Sequence, residues 1–364
     1  MMASKRVVLF EDNDKRAKRL LSFLRRSLRG QADIKRFEPG IAAAKRKNEL
    51  FETRLGKEMD RPAYKNTILF VTDRDLSKTP GYVGLSEAAV VRVADAADLP
   101  VILYAQGASF NVLERRRGWG DGSIVLKGKS TEEHAAELTV LIKGFLQIGA
   151  KYGAMLRGPQ HMRSPAALMA ELMGRPQYLD RVSQYGLGDQ KYFAEIVPLV
   201  KADTRRPLEM RLMRILGTWL YDSILRFPGL LVSGMAAASY LDIDPPEFEG
   251  NKQIERLFAS ARYRGPFSEG ASPIWWRPDL DDILLKAQCD SGRALVKKKI
   301  RRDPGNCKCS VDPSKRAGFF CMVTEKPVSD SESEAAVSWF PPGADLARIN
   351  KRVFEELRPW LASY

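Results

Sequence analysis

Histidine is almost missing from this chain: His134 and His161 are the only two in 364 residues. A Ser-His-Asp triad or a two-histidine metal site needs imidazoles placed to take a proton or donate a lone pair, so neither has support. Cysteine is absent from the first 288 positions, which excludes a disulfide framework there. Long apolar runs are absent too. None approaches the roughly 20 residues of a membrane span, so no membrane partner is expected. The opening Met-Met-Ala-Ser-Lys-Arg leads straight into a strand-like run, without the apolar core of a signal peptide, and a cytoplasmic setting is the expectation. Acids are in deficit, with 45 Asp and Glu against 59 Lys and Arg and a formal charge of +14. That balance suits an anionic partner such as DNA, RNA, a nucleotide or an acidic protein surface, without choosing among them.

What is present begins with Arg6 to Asp14, Arg-Val-Val-Leu-Phe-Glu-Asp-Asn-Asp. Val7 to Phe10 read as a strand buried on both faces, the kind found inside a parallel sheet. Glu11 and Asp12 then fall at its carboxyl end, where open α/β sheets build their sites. Adjacent carboxylates repel, and a hard cation such as Mg²⁺ is the usual reason to keep them together. The plainer reading is a solvated acidic turn that caps the next helix. That helix spans residues 15–29, with Ala17, Leu20, Leu21, Leu24 and Leu28 as one apolar stripe and Lys and Arg elsewhere. Further strands are expected at residues 32–37, 66–72, 99–104 and 123–126, and helices at 41–55, 86–97 and 131–146. Alternating strands and helices imply an α/β domain with a parallel sheet and right-handed crossovers.

Residues 1–148, about 40% of the chain, resemble a response-regulator receiver domain. Such domains carry an acidic pair after strand one, a phospho-accepting Asp after strand three, a Ser or Thr after strand four and a Lys after strand five. Glu11 and Asp12 match the pair, Asp73 the acceptor with Leu76 three residues on, and Lys127 the lysine. Gly84-Leu85 and Pro100-Val101-Ile102 match the starts of the next helix and of strand four. The resemblance implies a doubly wound sheet of five parallel strands in the order 2-1-3-4-5. It also implies Mg²⁺ on Glu11, Asp12 and Asp73, phosphorylation of Asp73 by a phosphodonor kinase, and Lys127 pairing with the phosphate as a point charge. The departures are specific. Ala105 takes the hydroxyl position, and an alanine cannot hydrogen-bond a phosphate. Ser77 and Gly128 stand where Pro is common, Ile124 and Val125 replace an aromatic, and residues 107–122 lengthen the loop after strand four. Working phosphotransfer and a pseudo-receiver used for docking are therefore both open.

Residues 149–163, broken by Gly153, Gly158 and Pro159, read as a linker. The rest is mostly helical, a helical domain at 164–287 and a cysteine-containing subdomain at 288–364 with a small β element and a C-terminal helix. Helices are expected at 164–173, 189–200, 208–225, 251–263, 279–287 and 345–361. A strand is expected at 317–324 with a pairing partner at 336–340, and a polar loop at 326–334. Residues 232–248 have the rhythm of a helix-turn-helix. Asp242, Asp244, Glu247 and Glu249 make the second segment acidic, however, and a plain helical corner is the simpler account. Cys289, Cys307, Cys309 and Cys321 cluster in sequence, as four ligands of a tetrahedral Zn²⁺ would. Buried reduced thiols or a redox pair are the alternatives, since Cys307-x-Cys309 is not the common spacing. Lys297, Lys298, Lys299, Arg301 and Arg302 form the densest basic run and a candidate nucleic-acid-binding arm, with a solvated loop as the plain alternative.

Three functions follow. The first is a non-catalytic signalling protein, in which the receiver-like domain controls a helical, zinc-stapled output that binds nucleic acid or a partner protein. The second is a pseudo-receiver scaffold subunit, oligomeric or part of a larger complex. The third is a metal-dependent hydrolase or nuclease gated by the receiver-like domain, for which no nucleophile–base pair is visible. Enzymatic activity is left open, with the non-catalytic readings preferred.

Overall fold

The computed structural model describes residues 5–39, 49–79, 81, 85–105, 123–126, 128, 130–155, 164–187, 205–270, 272–335 and 340–361. The chain divides into two compact units: residues 1–163 with 195–218, and residues 164–194 with 219–364.

The first unit is built on five parallel strands: β1 (Arg6–Phe10), β2 (Asp33–Arg36), β3 (Thr67–Asp73), β4 (Val101–Tyr104) and β5 (Ser123–Val125). Their order is β2-β1-β3-β4-β5, the doubly wound receiver-like topology. The apolar runs in β1 and β3 are buried throughout because helices cover both faces of the sheet. On one side α1 (Asp14–Ser27) packs with α4 (Thr131–Met155). Opposite, α2 (Phe51–Met59) and α3 (Glu87–Ala96) cover Val8, Phe10 and Phe70. Phe10 stacks near Phe37 at 4.8 Å and meets Phe70 edge-on at 5.1 Å, fixing β1 between its neighbours. The first part of the helix expected at 41–55 lies outside the described residues. Helix α4 runs past residue 146 to Met155 because Ile148 continues the buried stripe of Leu138, Leu141, Ile142 and Phe145.

A late helix completes this unit. Helix α7 (Arg205–Trp219) belongs to it through Thr218. There Met210 packs on the Phe10 core, and Arg214 pairs with Asp95 and Asp98 at the end of α3. Gly217 lets α7 lie against the Phe145 ring, where any Cβ would collide.

The second unit opens with α5 (Pro165–Leu172), capped by Ser164, and α6 (Leu179–Leu187). Tyr185 on α6 is fully buried, donates its hydroxyl to the Phe227 carbonyl at 3.0 Å and accepts the Leu230 N–H at 2.9 Å. A π-helical turn, Leu220–Ile224, leads into it. Strands β6 (Leu231–Ser233) and β7 (Ile274–Trp276) pair antiparallel around α8 (Gly234–Leu241), α9 (Pro245–Gly250) and α10 (Lys252–Leu257). Helix α8 is buried through Ala236, Ala237 and Ala238 and ends at Asp242 with φ 56°. Its successor α9 has six residues, so residues 232–248 hold two short helices joined by a turn at Asp242. The helix expected at 189–200 lies outside the described residues.

Helices α11 (Arg277–Ala287) and α12 (Gly292–Ile300) follow, then a four-stranded sheet. Its order is β10 (Ser333–Glu334), β11 (Ala347–Asn350), β8 (Phe319–Cys321) and β9 (Lys326–Val328). Two expectations are corrected here. Residues 326–334 are not a polar loop, because β9 pairs with β8 and buries Pro327 and Val328. Residues 345–350 are not helical, because β11 pairs parallel with β8 and buries Ala347 and Ile349. Leu346, Ile349 and Val353 fit a helical stripe, yet the alternation at 347–349 fits a strand, and the open edge of β8 decides. Helix α13 (Lys351–Leu361) begins only after it. The partner segment at 336–339 lies outside the described residues.

Candidate functional site

Register brings the acids together. Phe10 of β1 pairs with Thr72 of β3, so Glu11 and Asp73, one residue on, leave the sheet side by side at the carboxyl edge. The strand order reverses between these two strands, which is where doubly wound folds open a crevice. Single carboxylate oxygens of Glu11, Asp12 and Asp73 lie within 4.8 Å of one another. Glu11 and Asp73 are buried, at 4% and 5% exposure, whereas Asp12 is half-buried.

Each acid is held. Glu11 accepts the Asn13 N–H at 2.8 Å and the Tyr104 hydroxyl at 2.9 Å, and Asp12 accepts the Lys78 N–H at 2.8 Å. The Arg16 guanidinium donates to Asp73 at 2.6 Å and stands 3.3 Å from Glu11. Burial pushes the carboxyls of Glu11 and Asp73 above their ordinary values, and Arg16 pulls back only part of the rise. Tyr104, paired with Asp73 across the sheet, is raised further by burial and by the two acids. It stays a neutral donor.

Lys127 lies outside the described residues, whereas Gly128 is described. His134 on α4 is buried and bonds the Gly128 carbonyl through Nε2 at 2.7 Å. A Cβ at residue 128 would meet Glu133 Cβ at 2.9 Å and His134 Cδ2 at 3.0 Å, so glycine is required at this crossing. The scarce histidine is thus a fastening for the loop after β5. Ala105 is buried at the end of β4 and offers no hydroxyl.

The cysteines do not assemble as the sequence suggested. All four are described, and Glu11, Asp12 and Asp73 are the only group of three or more acid, Cys or His ligands that converges among the described residues. Cys289 lies just beyond the end of α11, half-buried. Burial pushes the Cys307 thiol up to about 12, and a hydrogen bond with Ser239 offsets only part of that rise. Cys309 and Cys321 pack with Val328 in a small core and accept backbone N–H groups, from Val311 at 3.4 Å and Asn350 at 3.3 Å. Three of the four are buried thiols, Cys289 is half-buried, and they do not support a zinc site.

The basic run is corrected in form. Residues 297–300 end helix α12 rather than forming a loop or free arm, because Ser291 caps α12 and Leu295 and Val296 bury its inner face. Lys297 pairs with Asp303 at 2.9 Å, Lys298 donates to the Ala287 carbonyl at 2.8 Å and Arg302 pairs with Glu247 at 2.7 Å. Lys299 and Arg301 remain exposed, with no ion pair among the described residues. Sequence reasoning missed Arg16 and Tyr104 as site residues. Arg16 was one of many cations on α1, and no linear signal says which turns inward.

The first unit is therefore a receiver-like α/β fold with an acidic triad at its switch point. No family model matches the chain, and no curated protein matches it. A chain in a structure of two RcsB dimers bound to two parallel DNAs aligns over 58% of this chain and all of its own length. The identity is 13% and the TM-score 0.24, too low to carry an argument. Among the described residues no helix is long and apolar enough to cross a membrane.

Proposed function

We propose that the first unit is a receiver-type regulatory module and that the second is its non-catalytic output. The convergence of Glu11, Asp12 and Asp73 at the β1/β3 edge carries this reading. Three carboxylates with one half-exposed member suit a hard divalent cation such as Mg²⁺ that keeps several waters. When bound, that cation would offset the charge between the acids and an incoming phosphoryl group. An Asp73 oxygen would attack phosphorus in line with the leaving group. The new P–O bond forms an acyl phosphate as the bond to the donor breaks. Lys127 would pair with the transferred phosphate. The output reading rests on the +14 charge and the exposed Lys299 and Arg301, which suit an anionic partner, nucleic acid or an acidic protein face.

Intact mass after incubation with Mg²⁺ and acetyl phosphate tests the phosphoryl step. The expected result is one phosphoryl adduct in the wild type and none in Asp73→Asn. A folded wild type without an adduct would remove the phosphotransfer role for that donor. A second reading, a pseudo-receiver that docks without phosphotransfer, is favoured by two observations: Arg16 on Asp73, and Ala105 in the hydroxyl position.

A further inference from the structure

Arg16 sits in the first turn of α1, three residues after the Asn13 cap, whose side chain accepts the Arg16 N–H at 3.1 Å. The cap fixes the backbone there. One nitrogen, Nη1, reaches both Asp73 at 2.6 Å and Glu11 at 3.3 Å. The Arg16 side chain is only 16% exposed, and those of Asp73 and Glu11 are 7% and 0%. Such pairing is stronger than on an open surface, because solvent screens it less. Among the described residues the third acid, Asp12, has no ion pair and accepts the Lys78 N–H.

Asp73 offers a carboxylate oxygen to the three-acid group, and Arg16 already holds its Oδ2. A guanidinium hydrogen-bonds the oxygen through N–H groups, whereas a divalent ion would coordinate its lone pair directly. Both cannot use the same oxygen in the same geometry. Resting on the cation reading above, we propose that Arg16 is a built-in counter-cation: it offsets part of the charge of Glu11 and Asp73 when no metal is bound, and must leave Asp73 for a divalent ion to enter. The site is then gated by its own side chain. Its apparent cation affinity is the intrinsic affinity reduced by the fraction of molecules with Arg16 swung away. The same displacement would free the Asp73 oxygen for reaction, so Arg16 sets the threshold of the module while remaining a positioning residue.

The test uses the full chain with Mg²⁺ as the probe, in the wild type, Arg16→Gln and Arg16→Lys. Calorimetry gives Mg²⁺ affinity, and circular dichroism gives Tm with and without Mg²⁺. Removing the competitor is expected to tighten Mg²⁺ binding about tenfold or more in Arg16→Gln, with Arg16→Lys between it and the wild type. Without Mg²⁺, Arg16→Gln should melt lower than the wild type, since two buried carboxylates lose their partner. Mg²⁺ should restore its Tm and move the wild-type Tm far less. A purely structural ion pair would lower Tm without this rescue. If both proteins bind Mg²⁺ equally, the gating idea falls and the cation reading survives. If neither binds Mg²⁺ and neither Tm responds, the cation reading falls and takes the gate with it.

Discussion

At the scale of single residues, the acidic edge is a compromise between burial and charge. Glu11 and Asp73 are raised mainly by burial, so the folded unit holds their protons more tightly than the unfolded chain does. The sign follows directly. For a carboxyl whose folded value is raised, the contribution to stability is complete below the unfolded value of about 4 and is lost as pH rises through the folded value. Exposed acids such as Asp14 and Asp75 are lowered and act in the opposite sense, so the total is a poor guide. The difference between variants is informative. From about pH 4 upward, the urea midpoint of the wild type should fall relative to that of Asp73→Asn, which has no proton to lose at this position. Parallel midpoints across that range would show that Asp73 is not raised. Asp73 and its acid neighbours were legible in the sequence because carboxylates directly after an apolar run mark a strand's carboxyl edge.

At the scale of elements, helix–helix approach decides more than propensity. Gly217 lies in the last turn of α7, which runs on into the π-helical turn, and glycine inside a helix costs about 1 kcal/mol relative to alanine. On propensity alone, Gly217→Ala should stabilise. The added Cβ would collide with the Phe145 ring, which is itself fully buried. Overpacking of this kind costs about 1–3 kcal/mol, so the clash outweighs the propensity gain. Net destabilisation of roughly 0–2 kcal/mol is expected in urea unfolding, and a clear gain in stability would show that α7 does not lie on α4. The element boundaries that the sequence missed have the same origin. Residues 345–350 carry apolar spacing compatible with helix or strand, and the unpaired edge of β8 settled the choice. Residues 326–328 are polar enough to read as a loop, yet β9 needs only Pro327 and Val328 to face inward.

For the molecule as a whole, charge is the main statement about partners. The net +14 is spread along the chain, and much of the densest run is spent internally on Asp303, Ala287 and Glu247. Lys299 and Arg301 are left facing water. If this surface meets a nucleic acid, Lys299→Glu with Arg301→Glu should weaken binding of a short duplex several-fold and flatten its salt dependence. Each lost phosphate contact lowers the slope of log K against log salt by about 0.9. Lys298→Gln, whose side chain is tied to the Ala287 carbonyl, should change the slope less. Duplex affinity that falls equally in both variants, or no salt-dependent binding at all, would remove this helix end as the anion-facing surface.

Alternating strands and helices were legible in the sequence of the first unit, because buried parallel strands are written as short continuous apolar runs, and the resemblance to receiver domains supplied their order. The sequence also marked Glu11, Asp12 and Asp73 as candidates, since each follows directly from strand position. Only the tertiary structure decided which cation faces them. Arg16 is one of seven Lys and Arg between residues 15 and 29, and its inward turn depends on the cap at Asn13 and the register of β1 on β3. Cysteine proximity likewise misled, because nearness in sequence does not make sulfurs converge. Cys321 ends strand β8 and packs with Cys309 on Val328, while Cys307 is buried beside Asp242, and no three of the four sulfurs meet. Local pattern fixes period and burial, whereas a site needs side chains from distant segments to meet, and that depends on strand order, register and the packing of helices across the sheet.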